Sequence, residues 1–205
     1  FTTRNTVGGY GYFSTFNRIS GTHKRMFYQA YHQYKRGDGY RENSHFYQHQ
    51  AFAQFGYYLN ENWTISAEFT HMNYVTKQAG GLTDLGFIED PRQSVRERNW
   101  FAVDWNLLAL KSTYEVNKST TFDIRAFGMI SNRRTIGFLG KITQTDMGGN
   151  REMIYSDFMN GGVEARFLKK YSLNRNPQSN LLKIKGALLV GARVYQGETE
   201  TRQGT

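Results

Sequence analysis

The sequence has 205 residues, no cysteine, two prolines and a net charge of +9. The lack of cysteine excludes disulfide scaffolds and thiolate metal sites, and no apolar run approaches the length of a membrane helix. The 21 glycines and 16% aromatic residues favour strands and turns, and the positive charge suggests an anionic partner.

Eight segments are predicted to be antiparallel strands. In chain order they are 7–19, 25–36, 46–59, 63–70, 101–109, 122–133, 158–171 and 182–194. The alternation of apolar and polar residues is clearest in 63–70, 101–109, 122–133 and 182–194, and a helix cannot produce this period of two. We expect two apolar rows, Trp63/Ile65/Phe69 and Val103/Trp105/Leu107, to face lipid. Gly8, Gly9 and Gly11 are interpreted as relieving crowding within the first strand.

The connections alternate in length along the chain. Short turns are predicted at 20–24, 60–62, 117–119 and 174–180, and long, charged loops at 37–44, 76–98 and 135–155. Several strands reach the length of about 9–11 residues that a tilted strand needs to cross a bilayer. Tight turns at one end and long loops at the other are typical of bacterial outer-membrane barrels, whose long loops are extracellular. The sequence therefore favours an all-β, antiparallel, up-and-down transmembrane β-barrel, of which these eight strands form a part.

Two of the long loops carry motifs that resemble one family. Residues 79–101, AGGLTDLGFIEDPRQSVRERNWF, contain a GGLT turn, then an acidic stretch, a QS pair and spaced arginines; residues 35–44, KRGDGYRENS, contain a GDGYRENS stretch. AFG followed by NRRTIGFLG, and later VEARF, come in the same order as in that family. The chain thus resembles the TonB-dependent outer-membrane receptors of the ferric dicitrate type over most of its length.

This resemblance implies a barrel of about 22 strands closed by an N-terminal plug. Residues 1–205 would form part of the barrel domain in the outer membrane of a Gram-negative bacterium, with the plug and the C-terminal strands in a longer chain. The implied partners are a ferric chelate, the TonB energy-coupling complex acting through the plug, and outer-membrane lipid and lipopolysaccharide. No nucleic acid, catalytic residue or bound metal is expected, and no cofactor beyond iron as transported cargo.

The candidate ligand-binding residues follow from the chemistry of an anionic iron chelate. Guanidinium groups pair with carboxylates in a bidentate geometry, and hydroxyl or amide groups add donors. By the resemblance, Arg133 matches a binding arginine of the family, and its alternation places it on the face of Asp123 and Arg125. A second family arginine falls near Ser156 and is not matched, so Arg151 is its candidate substitute. The remaining candidates lie in the loop at 76–98, which we expect to help close over bound ligand: Arg92, Gln93 and Arg96.

Other functions remain open at this point. A passive porin or an outer-membrane enzyme would have a similar barrel sheet. A soluble all-β binding protein would also show strands with one polar, solvent-exposed face. Receptors of this architecture also take up cobalamin, nickel complexes and glycans, so the sequence leaves the ligand undecided.

Overall fold

The computed structural model describes residues 1–138, 140–144, 146–174 and 183–204, and within them the chain forms one antiparallel sheet. Nine strands follow one another in chain order, and each pairs with the next, as in an up-and-down arrangement. The elements are β1 (Thr2–Val7), β2 (Phe13–His23), β3 (Met26–Gly37), β4 (Phe46–Tyr58), β5 (Trp63–Lys77), α1 (Asp84–Glu89), β6 (Trp100–Asn117), β7 (Thr120–Ile136), β8 (Met153–Asn174) and β9 (Lys183–Gly204). No helix in these ranges is long and apolar enough to cross a membrane.

The prediction of eight strands was wrong by one, because residues 2–7, of which all but the last were left unassigned, form a strand of their own and a turn separates it from β2. Gly8 N donates to the carbonyl of Tyr12 over 3.0 Å, and the chain then reverses into β2. Tyr10 and Gly11 have φ of 56° and 66°, in the left-handed region that glycine adopts without strain. The glycines at this position therefore make a hairpin turn and do not relieve crowding within a strand.

The alternation of short and long connections is confirmed. Tight turns join β2 to β3, β4 to β5 and β6 to β7 at one end of the sheet. Four longer loops lie at the other end, which we call L1 (8–12), L2 (38–45), L3 (78–99, which contains α1) and L4 (137–152). The predicted turn at 174–180 lies outside the described residues except at its first position.

The two faces of the sheet differ sharply in polarity. Trp63, Ile65 and Phe69 lie on an apolar face, where Phe69 is paired with Leu108 on β6. The opposite, polar face carries Glu68, which accepts hydrogen bonds from Gln54 (2.8 Å) and Lys111 (2.5 Å) on the strands at either side. Each face is therefore continuous from strand to strand, as antiparallel pairing requires.

One predicted row lies on the wrong face. The register places Leu107 opposite Thr70, so Val103, Trp105 and Leu107 belong to the polar face, and Leu108 and Leu110 to the apolar one. The alternation within β6 was predicted correctly, but it could not show which side contacts lipid.

The lipid-facing side of β6 was predicted wrongly because the apolar band covers only the half of each strand nearest the tight turns. Nearer the loops the same face becomes polar: His71 Nδ1 lies 2.9 Å from Asn106 Oδ1, and Asn73 donates to Asp104 over 3.2 Å. Strands of 18, 17 and 22 residues (β6 to β8) are much longer than a bilayer crossing requires. The apolar band therefore ends several residues before the strands reach the long loops.

Candidate functional site: the joined loops and the adjoining wall

The backbone of L3 is held in place by one arginine of L2. Arg41 donates through Nε and Nη2 to the carbonyl of Gln93 (3.1 and 2.8 Å) and through Nη1 to that of Gly80 (2.5 Å). Both acceptors belong to the motif at 79–101. The planar guanidinium can bind two separated carbonyls at once because its donors have a fixed fork geometry. Arg41 thus binds two separated parts of L3, at Gly80 and Gln93, to L2.

Asn43 reinforces the same junction. Its side-chain amide donates to the carbonyl of Arg96 (2.5 Å) and lies 3.3 Å from the carbonyls of Gln78 and Asn99. Its φ of 49° is left-handed, a conformation that asparagine tolerates better than most residues. Arg41 and Asn43 of the L2 motif therefore hold L2 and L3 together.

Arg96 fastens L3 to L4 in turn. Its side chain donates to the carbonyls of Val95 (2.7 Å), Gln144 (3.1 Å), Gly140 (3.0 Å) and Lys141 (2.8 Å). The residue is only 3% exposed, and its guanidinium lies 4.7 Å from the centroid of the ring of Phe138. These contacts occupy the donors that a ligand would need, so the geometry favours a structural role for Arg96.

Gly80 shows how closely L3 is packed at this junction. Its φ is +78°, and a Cβ atom there would lie 2.5 Å from Arg96 Cγ. Any side chain at this position would be strained and would also displace Arg96. The paired glycines of the motif thus allow the backbone to approach the buried arginine.

A cationic cluster lies beside this junction. Asp146 forms ion pairs with Arg98 (3.1 Å) and with Arg151, whose side chain is 13% exposed. Burial lowers the pKa of Arg151, and the positive charges of Arg98 and Arg96 lower it further. Arg151 Nε is buried and has no hydrogen-bond partner in the described part of the chain. Two guanidinium groups, those of Arg98 and Arg151, therefore share the carboxylate of Asp146.

The cluster opens onto a cavity of about 650 Å³ between L3 and L4. Its walls are formed by residues 94–98, 142–144 and 146–148. The lining itself balances Arg96 and Arg98 against Glu97 and Asp146. Only Arg151 beside the cavity, paired with Asp146, gives the group a small net positive charge that could attract an anion.

Arg133 lies apart from the loops, on the polar face of β7. Asp123 and Arg125 share this face, as predicted. Its Nη2 lies 3.4 Å from the Oγ of Ser156 and its guanidinium 5.7 Å from the ring centroid of Phe158. The side chain is otherwise exposed, so most of its donors are available to a ligand.

The candidate residues thus occupy three places. Arg151 and Arg96 both contact one aromatic ring, that of Phe138, whereas Arg133 lies on the wall of the sheet. Arg92 lies over the ring of Tyr40, 5.9 Å from its centroid. Gln93 donates through its side chain to the carbonyl of Gly86 (2.7 Å) and so supports α1.

Sequence reasoning gave no role to Arg41, Asn43 or Asp146. Arg41 and Asn43 did lie within a recognised motif, and that was the available signal. Their acceptors are backbone carbonyls, which leave no trace in a sequence. Among the described residues, no group of three or more histidine, aspartate or glutamate side chains could hold a metal ion.

Comparison with known proteins gives similarity in structure only. No family model and no curated protein matches the sequence. Among solved structures, the ferric citrate transporter FecA in its unliganded form is similar, with a TM-score of 0.78 and 16% identity. The alignment covers 98% of this chain and 28% of FecA.

A second similar structure is BauA, the ferric preacinetobactin receptor from Acinetobacter baumannii. It has a TM-score of 0.76 and 9% identity, with 96% of this chain and 30% of BauA covered. The chain therefore spans less than a third of either structure. Both are outer-membrane barrels, so the chain has the fold of part of such a barrel wall. In that fold the apolar face contacts lipid and the polar face lines the interior.

Proposed function

We propose that this chain is part of a TonB-dependent outer-membrane receptor that imports an anionic ferric chelate, with iron(III) dicitrate as the first ligand to test. The observation that carries the proposal is the exposed guanidinium of Arg133 on the interior face, near the loop end of a wall similar to that of a ferric citrate transporter. Arginine suits this role because its fork pairs with the carboxylates of such a chelate.

Arg98 extends the proposed site into the cavity between L3 and L4, and Arg151 adds positive charge beside it. Asp146 neutralises only part of their charge, so an incoming carboxylate would meet excess positive potential. Arg133 would then receive the chelate deeper in the barrel. Arg92, Gln93 and Arg96 would act indirectly, by keeping L3 in shape.

The rest of the transport machinery would lie in a longer chain. We propose a plug domain that closes a barrel of about 22 strands and that contacts the TonB complex. The long loops would face the exterior and the tight turns the periplasm of a Gram-negative bacterium. In this function the protein is a receptor and not an enzyme, and its iron is cargo. The similarity to BauA supports a different ferric siderophore as the alternative ligand.

The deciding experiment is equilibrium binding of ferric citrate to the purified full-length receptor, with iron-free citrate as the control. Saturable binding of the ferric complex alone is the expected result. Absence of binding would remove citrate from the proposal. Recovery of the folded protein in soluble form without detergent would contradict the membrane receptor itself.

A further inference from the structure

The lipid-facing side of the sheet contains a groove close to the tight turns. Its volume is about 420 Å³ and its lining is almost entirely apolar. The register explains its shape, because small residues alternate with large ones: Ala67 lies between Phe55 and Leu110, and Leu110 lies between Ala67 and Ala126. A flat lipid-facing surface would have no such depression.

A second small residue deepens the groove in the next row. Ser112 lies between Ile65 and Ile124, and its Oγ accepts a hydrogen bond of 2.9 Å from the indole of Trp63. This bond satisfies the hydroxyl of Ser112, so the floor of the groove beside it stays apolar. An acyl chain is the ligand that such a surface fits, because it needs no hydrogen bonds and gains from close packing.

A row of four aromatic side chains borders the groove on the side of the tight turns. Trp63, Tyr114, Phe122 and Phe167 are direct neighbours across four consecutive strands. The rings of Phe122 and Phe167 are 4.9 Å apart, and those of Trp63 and Tyr114 are 6.1 Å apart. Such girdles mark the boundary between hydrocarbon and headgroups in membrane barrels.

Directly beyond this aromatic row, the same face carries a cation. Lys169 is paired with Thr120 and donates to its Oγ1 over 2.8 Å. An ammonium group has three donors, so two remain for a phosphate at headgroup level.

The spacing between cation and groove matches one leaflet. Thr120 and Ala126 are six positions apart on β7, which is about 20 Å along the strand and about 14 Å in depth at the usual tilt near 45°. Half of a hydrocarbon core of about 30 Å has the same depth.

We propose that the groove is a specific phospholipid site, in which an acyl chain occupies the depression at Ala67 and Ala126 and the phosphate binds Lys169. The site lies in the leaflet next to the tight turns and takes a glycerophospholipid. This inference rests on the membrane placement in the proposed function, but not on the identity of the transported ligand.

The test uses the full-length protein, purified in detergent and stripped of lipid, and measures retention of added dioleoyl phosphatidylglycerol by native mass spectrometry. The wild type should retain one molecule. Ala126→Leu, which fills the groove, should lose it. Ala165→Leu is the matched control, because Ala165 lies on the same face opposite Ile124 and outside the groove. Lys169→Gln should weaken retention about fivefold, the contribution of one basic residue near a membrane surface.

Three outcomes would overturn the proposal. They are equal retention by Ala126→Leu and Ala165→Leu, equal retention of lipid A and the phospholipid by the wild type, and no retention by the wild type. If the wild type requires detergent but retains no phospholipid, only the phospholipid site is refuted. If the wild type folds without detergent, the location in the membrane is refuted as well, so the two failures can be told apart.

Discussion

Arg133 and Ser156 are direct partners across β7 and β8, with Arg133 Nη2 3.4 Å from Ser156 Oγ. The resemblance predicts a second binding arginine near Ser156, so the two expected positions are neighbours across the ladder. Ser156 is fully buried and also accepts a hydrogen bond of 3.0 Å from Thr201. At this position on β7 and β8 the interior face therefore carries the guanidinium of Arg133 with the small hydroxyl of Ser156 beside it.

Replacement of Arg133 should weaken ligand binding without affecting folding. Arg133→Ala should cost about 1.5–3 kcal/mol in affinity for ferric citrate, the range of a hydrogen bond to a charged group. Arg133→Lys should recover only part of this loss, because lysine keeps the charge but lacks the planar fork. The measurement is equilibrium binding to the full-length receptor. Arg125 is the control, since it lies on the same face eight positions further from the loops, about 26 Å along the strand; equal affinities for all variants would exclude Arg133 from the site.

Removal of the arginine that joins L2 to L3 should release L3. In Arg41→Ala the carbonyls of Gly80 and Gln93 lose a charged donor, and local stability should fall by about 1.5–3 kcal/mol. Hydrogen exchange of residues 78–99 should then become faster, while exchange in β5 and β6 stays unchanged. Arg92→Ala is the control, because the side chain of Arg92 contacts the ring of Tyr40, whereas its backbone carbonyl, which accepts from Glu42 N over 2.8 Å, is retained in the variant. An unchanged hydrogen-exchange rate of L3 in Arg41→Ala would contradict the role of Arg41 in holding L3 against L2.

The two neighbouring arginines of L3 should differ widely in their effect on stability. Arg96→Ala leaves four carbonyls without their donor and a cavity against Phe138, so the free energy of loop opening should fall by about 3 kcal/mol. Arg98→Ala removes a partly exposed ion pair and should cost about 0.2–1 kcal/mol. Limited proteolysis of L4 in the folded receptor compares the two directly. Similar cleavage rates would show that burial of Arg96 contributes nothing.

Adjacent leucines of β6 provide a test of which face contacts lipid. Leu108→Arg places a charge on the apolar face and should destabilise the barrel by about 2–4 kcal/mol if it lies near the bilayer midplane. Leu107→Arg places the same charge on the interior face, beside Thr70, and should cost much less. Denaturant unfolding in lipid vesicles measures both. A larger loss for Leu107→Arg would reverse the assignment of the faces.

The sequence predicted most of the fold but little of the loop architecture. Period-two alternation correctly separated Asp123, Arg125 and Arg133 from Phe122, Ile124 and Ile130, because neighbouring side chains on a strand point to opposite faces. In β6 it grouped the residues correctly but did not show which group contacts lipid, because the apolar band ends partway along the strand and Asp104 and Asn106 lie beyond it on the same face as Leu108. It also missed the division at 8–12, because glycines within apolar sequence are compatible with a strand as well as a turn.

The roles of the loop residues could not be predicted for a different reason. Arg41, Asn43 and Arg96 all bind main-chain carbonyls, and every residue supplies such a carbonyl. A charged loop therefore has the same composition whether its arginines are free for ligand or engaged with backbone. Only the folded positions of Gly140, Lys141 and Gln144 show that Arg96 is engaged. Only the exposure of Arg133 on β7 shows that most of its donors are available.

The joining of L2, L3 and L4 has a consequence for immune recognition of this surface. The pairs that meet there, such as Arg41 with Gln93 and Arg96 with Gln144, are far apart in the sequence. A synthetic peptide of residues 79–98 lacks Arg41 and Asn43 and so cannot keep the backbone shape that these side chains impose. Under the proposed function these loops face the exterior, so antibodies raised against the folded receptor should recognise a discontinuous epitope. Antisera against the peptide should bind the denatured protein better than intact cells.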